Sequence, residues 1–154
     1  MPGERPGVLD PALLAAYRAA EYVVPIGARL CRFRPDRPAP APLAAWLADN
    51  GPAGWLSAFN PGSRRLSILD NLRRHDALFR RLRSEGRAVL AGYAADPASV
   101  WPDEPSLLVS GIGLERLNRL ALDFGQVAFL WLEPGQPVRM LLADPSGALA
   151  TWRG

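Results

Sequence analysis

The chain has 154 residues, 49% of them apolar and 21% charged, with a net charge of +3, one cysteine and one histidine. That length fits one domain with one core; Cys31 has no disulfide partner, and Cys31 with His75 leaves a zinc site short of ligands. No apolar run reaches the ~20 residues of a membrane span and no charged-then-apolar leader is visible at the start, so the expectation is a cytoplasmic protein with no membrane partner.

Met1 to Leu9 reads as a disordered tail, followed by a single domain over 10–154. Asp10-Pro11 is a helix start, an N-cap followed by proline at the first helical position, and the helix runs to Ala20 with Leu13, Leu14 and Tyr17 on its apolar side. Tyr22–Ile26 and Ala28–Phe33 read as a hairpin about Gly27. A proline-rich loop leads to a short helix, Leu43–Asp49, which Asn50-Gly51 ends.

Gly54–Phe59 is the next predicted strand, closed by the turn Asn60-Pro61-Gly62-Ser63-Arg64. Ser67 and Asp70 form a capping box ahead of a helix over 68–85, with Ile68, Leu72, Phe79 and Leu82 as its inward stripe. Predicted strands follow at Arg87–Tyr93 and Ser106–Ser110, separated by the loop that ends in Trp101-Pro102-Asp103-Glu104-Pro105. A helix over Gly113–Phe124 precedes strands at Gln126–Leu132 and Val138–Leu142, and Ala148–Trp152 reads as a last edge strand.

Strand, helix, strand from Gly54 to Tyr93 is a crossover, so those two strands run parallel. Short connections then send the strand at Ser106 downward and bring the start of the Gln126 strand back to the upper edge. Three polar segments meet there: Asn60–Arg64, Trp101–Ser106 and Gln126. The glycine-containing turn at a helix start suits an anion, held by Ser63 and Arg64. Asn60, Asn71 and Gln126 offer amides for orientation, Ser106 a hydroxyl and Trp101 a ring. Glu104, between a tryptophan and prolines, is the candidate for acid or base work in hydrolysis or group transfer.

Each piece has a plainer reading beside it. Asn-Pro-Gly-Ser is a good turn in its own right, and it lacks the Gly-Lys-Ser/Thr of a phosphate-binding loop. Asn71 either faces the site or caps loop backbone. His75 reads as a core-edge histidine, and Cys31 as a small buried hydrophobe. All 18 basic residues are arginine. That fits GC-rich coding better than phosphate recognition, and the lack of lysine removes Schiff-base chemistry. The arginine-dense helix reads as a solvated face, with nucleic-acid contact as its rival.

The run Ser57-Ala58-Phe59-Asn60-Pro61-Gly62-Ser63-Arg64, then Asn71, Trp101-Pro102-Asp103-Glu104-Pro105-Ser106 and Phe124-Gly125-Gln126-Val127-Ala128, resembles a family of small bacterial proteins catalogued as domain of unknown function 3293. The likeness spans roughly Tyr17 to Leu142. Ser57 stands where the family usually has threonine, and Val127 where it has asparagine; the second departure removes an amide from the edge. The resemblance implies which residues travel together and carries no activity, cofactor or partner.

The expectation is a single compact α/β (α+β) domain with a mixed parallel and antiparallel sheet and helices packed on it. The leading functional reading is a site for a small anionic or polar ligand, with no cofactor and no metal. The alternatives are a nucleic-acid-binding or regulatory module using helix 68–85, and a protein-interaction module with an apolar patch near Trp152.

Overall fold

Residues 10–152 are described in a computed structural model, so the expected tail lies outside the described residues. Asp10 caps α1 (Pro11–Ala19), its carboxylate accepting the Ala12 N–H at 2.9 Å. β1 (Glu21–Ile26) and β2 (Arg29–Phe33) form the antiparallel hairpin about Gly27. α2 (Ala41–Asn50) stops at Gly51, whose N–H reaches the Leu47 carbonyl. β3 (Ala53–Leu56) is shorter than the predicted strand, and a 3₁₀ turn follows at Pro61–Ser63. α3 (Ile68–Ser84) begins at the capping box, with the Asp70 N–H donating to Ser67 Oγ at 3.1 Å.

β4 (Val89–Ala95) and β5 (Glu104–Ser110) make a hairpin; α4 (Leu114–Asp123) leads to β6 (Ala128–Leu132) and β7 (Arg139–Leu142). The described strands form one sheet in the order β2-β1-β4-β5-β3-β6-β7, and every pairing is antiparallel. The expected mixed sheet is therefore corrected. β3 and β4 do run the same way, but β5 folds back and inserts between them, so the two parallel strands never pair. The predicted last strand reduces to one bridge, Thr151 with Leu141.

The sheet is covered on both sides. Tyr22, Val24, Phe33, Trp55, Leu108 and Leu130 pack with Leu14, Leu43 and Leu47 of α1 and α2. Leu56, Leu107, Val109 and Phe129 pack with Leu78, Leu82, Leu117 and Leu120 of α3 and α4. Alternation along β5 feeds both cores, since successive side chains point to opposite faces. Gly92 in β4 is needed for close approach: a Cβ there would meet the Trp55 ring at 2.6 Å and the Val23 carbonyl.

The inward face of α3 differs from the predicted stripe. Asn71, Leu78 and Leu82 are buried, whereas Ile68 (66% exposed), Leu72 (46%) and Phe79 (37%) face outward. Counting apolar letters misplaces this helix because its inner face carries polar residues that bond to loop backbone. Trp152 is half-buried beneath the Arg18 guanidinium, 5.7 Å from its ring, so the expected apolar patch there is absent among the described residues. No helix among them is long and apolar enough to cross a membrane.

Candidate functional site

β3 ends, and β5 and β6 begin, at one edge of the sheet. α1 lies over that edge, and between them is a cavity of about 210 Å³. The structure brings Asn60, Ser63, Trp101, Glu104, Ser106 and Gln126 to its wall. Two expected members, Arg64 and Asn71, are not in the wall.

The Asn60 turn is held from three sides. Asn60 adopts left-handed backbone, φ +47°, which asparagine tolerates better than most residues. Its N–H donates to Asn71 Oδ1 at 2.8 Å, and its Oδ1 accepts from Asn71 Nδ2 at 2.8 Å and from the Leu66 N–H at 3.0 Å. Asn71 is buried and commits both ends of its amide to the turn, so the expectation that it touches ligand is corrected to a supporting role. The Gly62 N–H donates to the Gly125 carbonyl at 2.6 Å, and Gly125, φ +66°, lies so close that a Cβ would meet Pro61 Cβ at 2.7 Å. Gln126 Nε2 donates to the Phe59 carbonyl at 3.0 Å and the Phe124 carbonyl at 3.2 Å, tying the start of β6 to the end of β3.

Of the two residues expected to hold an anion, Ser63 lines the cavity and Arg64 does not. Arg64 is exposed, outside the cavity. The start of α3 already carries Asp70, whose Oδ2 accepts from Ser67 Oγ at 2.9 Å, so that helix end has its negative charge in place. The arginine built into this region is Arg74, which points inward and donates to the Ala58 carbonyl at 2.9 Å and to the Phe124 carbonyl. Among the described residues, no arginine or histidine is in the cavity wall, but two carboxylates are, Asp96 and Glu104.

Those carboxylates differ. Asp96 accepts N–H bonds from Ala98 at 2.9 Å, Val100 at 2.9 Å and Trp101 at 3.1 Å, and these bonds, led by that from Ala98, hold its pKa below the usual range. It shapes the loop. Glu104 is partly buried at the first residue of β5, and burial pushes its pKa up. The Ser57 hydroxyl opposes that rise, but its proton is directed to the Pro105 carbonyl at 3.1 Å, so Glu104 receives no full hydrogen bond from it.

Sequence reasoning passes over Tyr17 and Ser57. Tyr17 OH lies 2.9 Å from Ser63 Oγ, joining α1 to the turn. Tyr22 OH donates to the Tyr17 carbonyl at 2.6 Å. Burial raises the pKa of both phenols, and the nearby Glu104 charge adds to the rise in each. The available signal was a hydroxyl-bearing ring on the otherwise apolar side of α1. Trp101 is 62% exposed at the mouth, and so does not plug the core. Ser106 is buried and donates to its neighbour, the Glu104 carbonyl, at 3.1 Å.

His75 is half-buried outside the cavity, edge-on to Phe59 at 6.1 Å, with Nδ1 unpartnered and its pKa lowered by burial. Cys31 is buried in the core. Among the described residues, no three metal-binding side chains come together. On the arginine helix, Arg73 pairs with Asp70, Arg80 with Asp76 and Arg81 with Asp123.

Residues 56–129 match the model of a family described as Protein of unknown function (DUF3293). That segment contains the turn, Asn71, the Trp101–Ser106 run and Gln126, the same residues on which the resemblance was read. No curated protein and no solved structure matches the chain.

Proposed function

Taking residues 56–129 as the DUF3293 segment, we infer that the protein is a small-molecule binding domain whose ligand enters at the sheet edge beneath α1. The observation that carries this reading is the cavity itself. Its volume of about 210 Å³ exceeds the ~150 Å³ that houses a benzene ring. Apolar walls from Leu13, Trp55, Leu130 and Met140 surround a few polar groups from distant segments, the usual make-up of a ligand pocket.

The ligand expected here is uncharged or positively charged, because the wall holds carboxylates and no cation among the described residues. An anion would enter a field of its own sign without a partner. Glu104 is the group that would exchange a proton with a bound molecule, since burial lifts its pKa toward neutrality. Binding is favoured over hydrolysis or transfer: the nearby Ser57 and Ser106 hydroxyls donate to backbone carbonyls, so neither is primed by a base.

The test is a titration with benzyl alcohol followed by amide NMR. The expected result is a cluster of shifts at Ser63, Ser106 and Ala128, erased by Ala16→Phe, which fills the cavity from α1. Absence of shifts at the cavity, or shifts that survive Ala16→Phe, would overturn the reading.

A further inference from the structure

The polar groups left open in the cavity include one carboxylate with no cation beside it among the described residues. Gln126 Nε2 is occupied by the Phe59 and Phe124 carbonyls, which leaves its Oε1 open. Asn60 is the reverse: Oδ1 is filled by Asn71 and Leu66, and Nδ2 stays open. Ser57 Oγ donates to Pro105 and accepts from the Phe59 N–H at 3.0 Å. Ser106 Oγ donates to the Glu104 carbonyl and can still accept. Tyr22 donates to the Tyr17 carbonyl, and Tyr17 and Ser63 share one bond, leaving one hydroxyl proton between them.

The open acceptors are then the Glu104 carboxylate, Gln126 Oε1 and Ser106 Oγ. The open donors are Asn60 Nδ2, one shared hydroxyl and the indole N–H groups of Trp55 and Trp101. Asp96 adds negative charge at the rim while its oxygens are filled by loop N–H groups. The aromatic rings of Tyr17, Trp55 and Trp101 line the same space, and ring faces attract cations. An aromatic hollow whose Glu104 carboxylate has no ion-pair partner among the described residues matches a cationic head group.

We propose that this cavity selects a nitrogen base in its protonated form, a primary ammonium or amidinium on an apolar body, with Glu104 as its counter-ion and Gln126 Oε1 as a second acceptor. This rests on the binding reading above and names the ligand class for that site. Pairing requires the ionised carboxylate, so affinity for the cation falls as pH drops through the raised pKa of Glu104. A protonated Glu104 that donates to a neutral ligand would give the opposite trend.

Calorimetry with three probes of one shape separates these cases: benzylamine, benzyl alcohol and benzoate. The expected result is benzylamine tighter than benzyl alcohol by roughly tenfold, the worth of a charge-assisted bond, with no benzoate binding. Glu104→Gln should erase the discrimination. The pH series on the unaltered chain gives the same answer without any substitution: benzylamine affinity declines on acidification. Equal binding of benzylamine and benzyl alcohol, or preference for benzoate, overturns the proposed class while leaving the pocket reading intact. Failure of all three probes to bind removes both.

Discussion

Asn71 Oδ1 accepts the Asn60 N–H at 2.8 Å while Asn71 Nδ2 donates to Asn60 Oδ1 at 2.8 Å, so one side-chain amide closes a two-bond ring on the turn that bounds the cavity. Asn71 is 3% exposed, and truncating it would leave the Asn60 N–H without its partner. Asn71→Ala should cost roughly 1–3 kcal/mol in urea denaturation, the cost of an orphaned polar group. It should also weaken benzyl alcohol binding, since the turn loses its anchor. Unchanged stability would mean that the pair is incidental.

Gly125 and Pro61 give a second check on the same turn. Gly125→Ala must place a Cβ 2.7 Å from Pro61 Cβ in backbone with φ +66°, whereas a Cβ at Gly62, φ +61°, meets nothing within 4 Å. Both substitutions carry left-handed strain of roughly 1 kcal/mol, and only the first adds a clash. Gly125→Ala is therefore expected to lower the melting temperature more than Gly62→Ala; the reverse order would contradict the packing of the turn on α4.

Glu104 carries a pH prediction with a definite sign. Burial raises its pKa, so the folded protein disfavours the ionised form. Above the ordinary glutamate pKa the unfolded chain is ionised, and the folded state must either hold a proton or carry a disfavoured charge. Stability is therefore lost as pH rises from ~4.3 through the raised value. Glu104→Gln should raise the melting temperature at pH 7, with the gain vanishing below pH ~4. A gain that grows on acidification would contradict the burial of this group. A stabilising substitution that erases the preference for the amine is the usual mark of a functional residue.

The outward face of α3 can be tested directly. Leu78 is fully buried against the sheet, so Leu78→Ala should cost about 2–5 kcal/mol. Leu72 is 46% exposed, and Leu72→Ala should stay within about 0.5 kcal/mol. Equal costs would mean that the helix is rotated from the orientation described.

The sequence made the edge legible and its details less so. Asp10, Ser67 and Gly51 mark helix ends by chemistry confined to a few residues, and those ends were found. Strand directions follow from hairpins and short connections, which is why Asn60, Glu104 and Gln126 were placed at one edge. Strand neighbours do not follow from local signals: β5 slides between β3 and β4 because Trp55 pairs with Leu108 and Leu90 pairs with Leu108 from the other side. The role of Asn71 depends on a partner 11 residues away, that of Arg74 on partners 16 and 50 away and that of Tyr17 on one 46 away, and no spacing rule reaches that far. The placement of Arg64 differs for a related reason. Arg64 ends the turn in sequence, yet only the folded chain reveals that it lies outside the cavity wall.

The most direct test is a crystal structure of the chain soaked in benzylamine. The account predicts density in the hollow beneath α1, with the amine nitrogen ~2.7–2.9 Å from a Glu104 carboxylate oxygen and the ring against Trp55 and Met140. A hollow closed by packed side chains, or a probe bound only elsewhere on the surface, would contradict it.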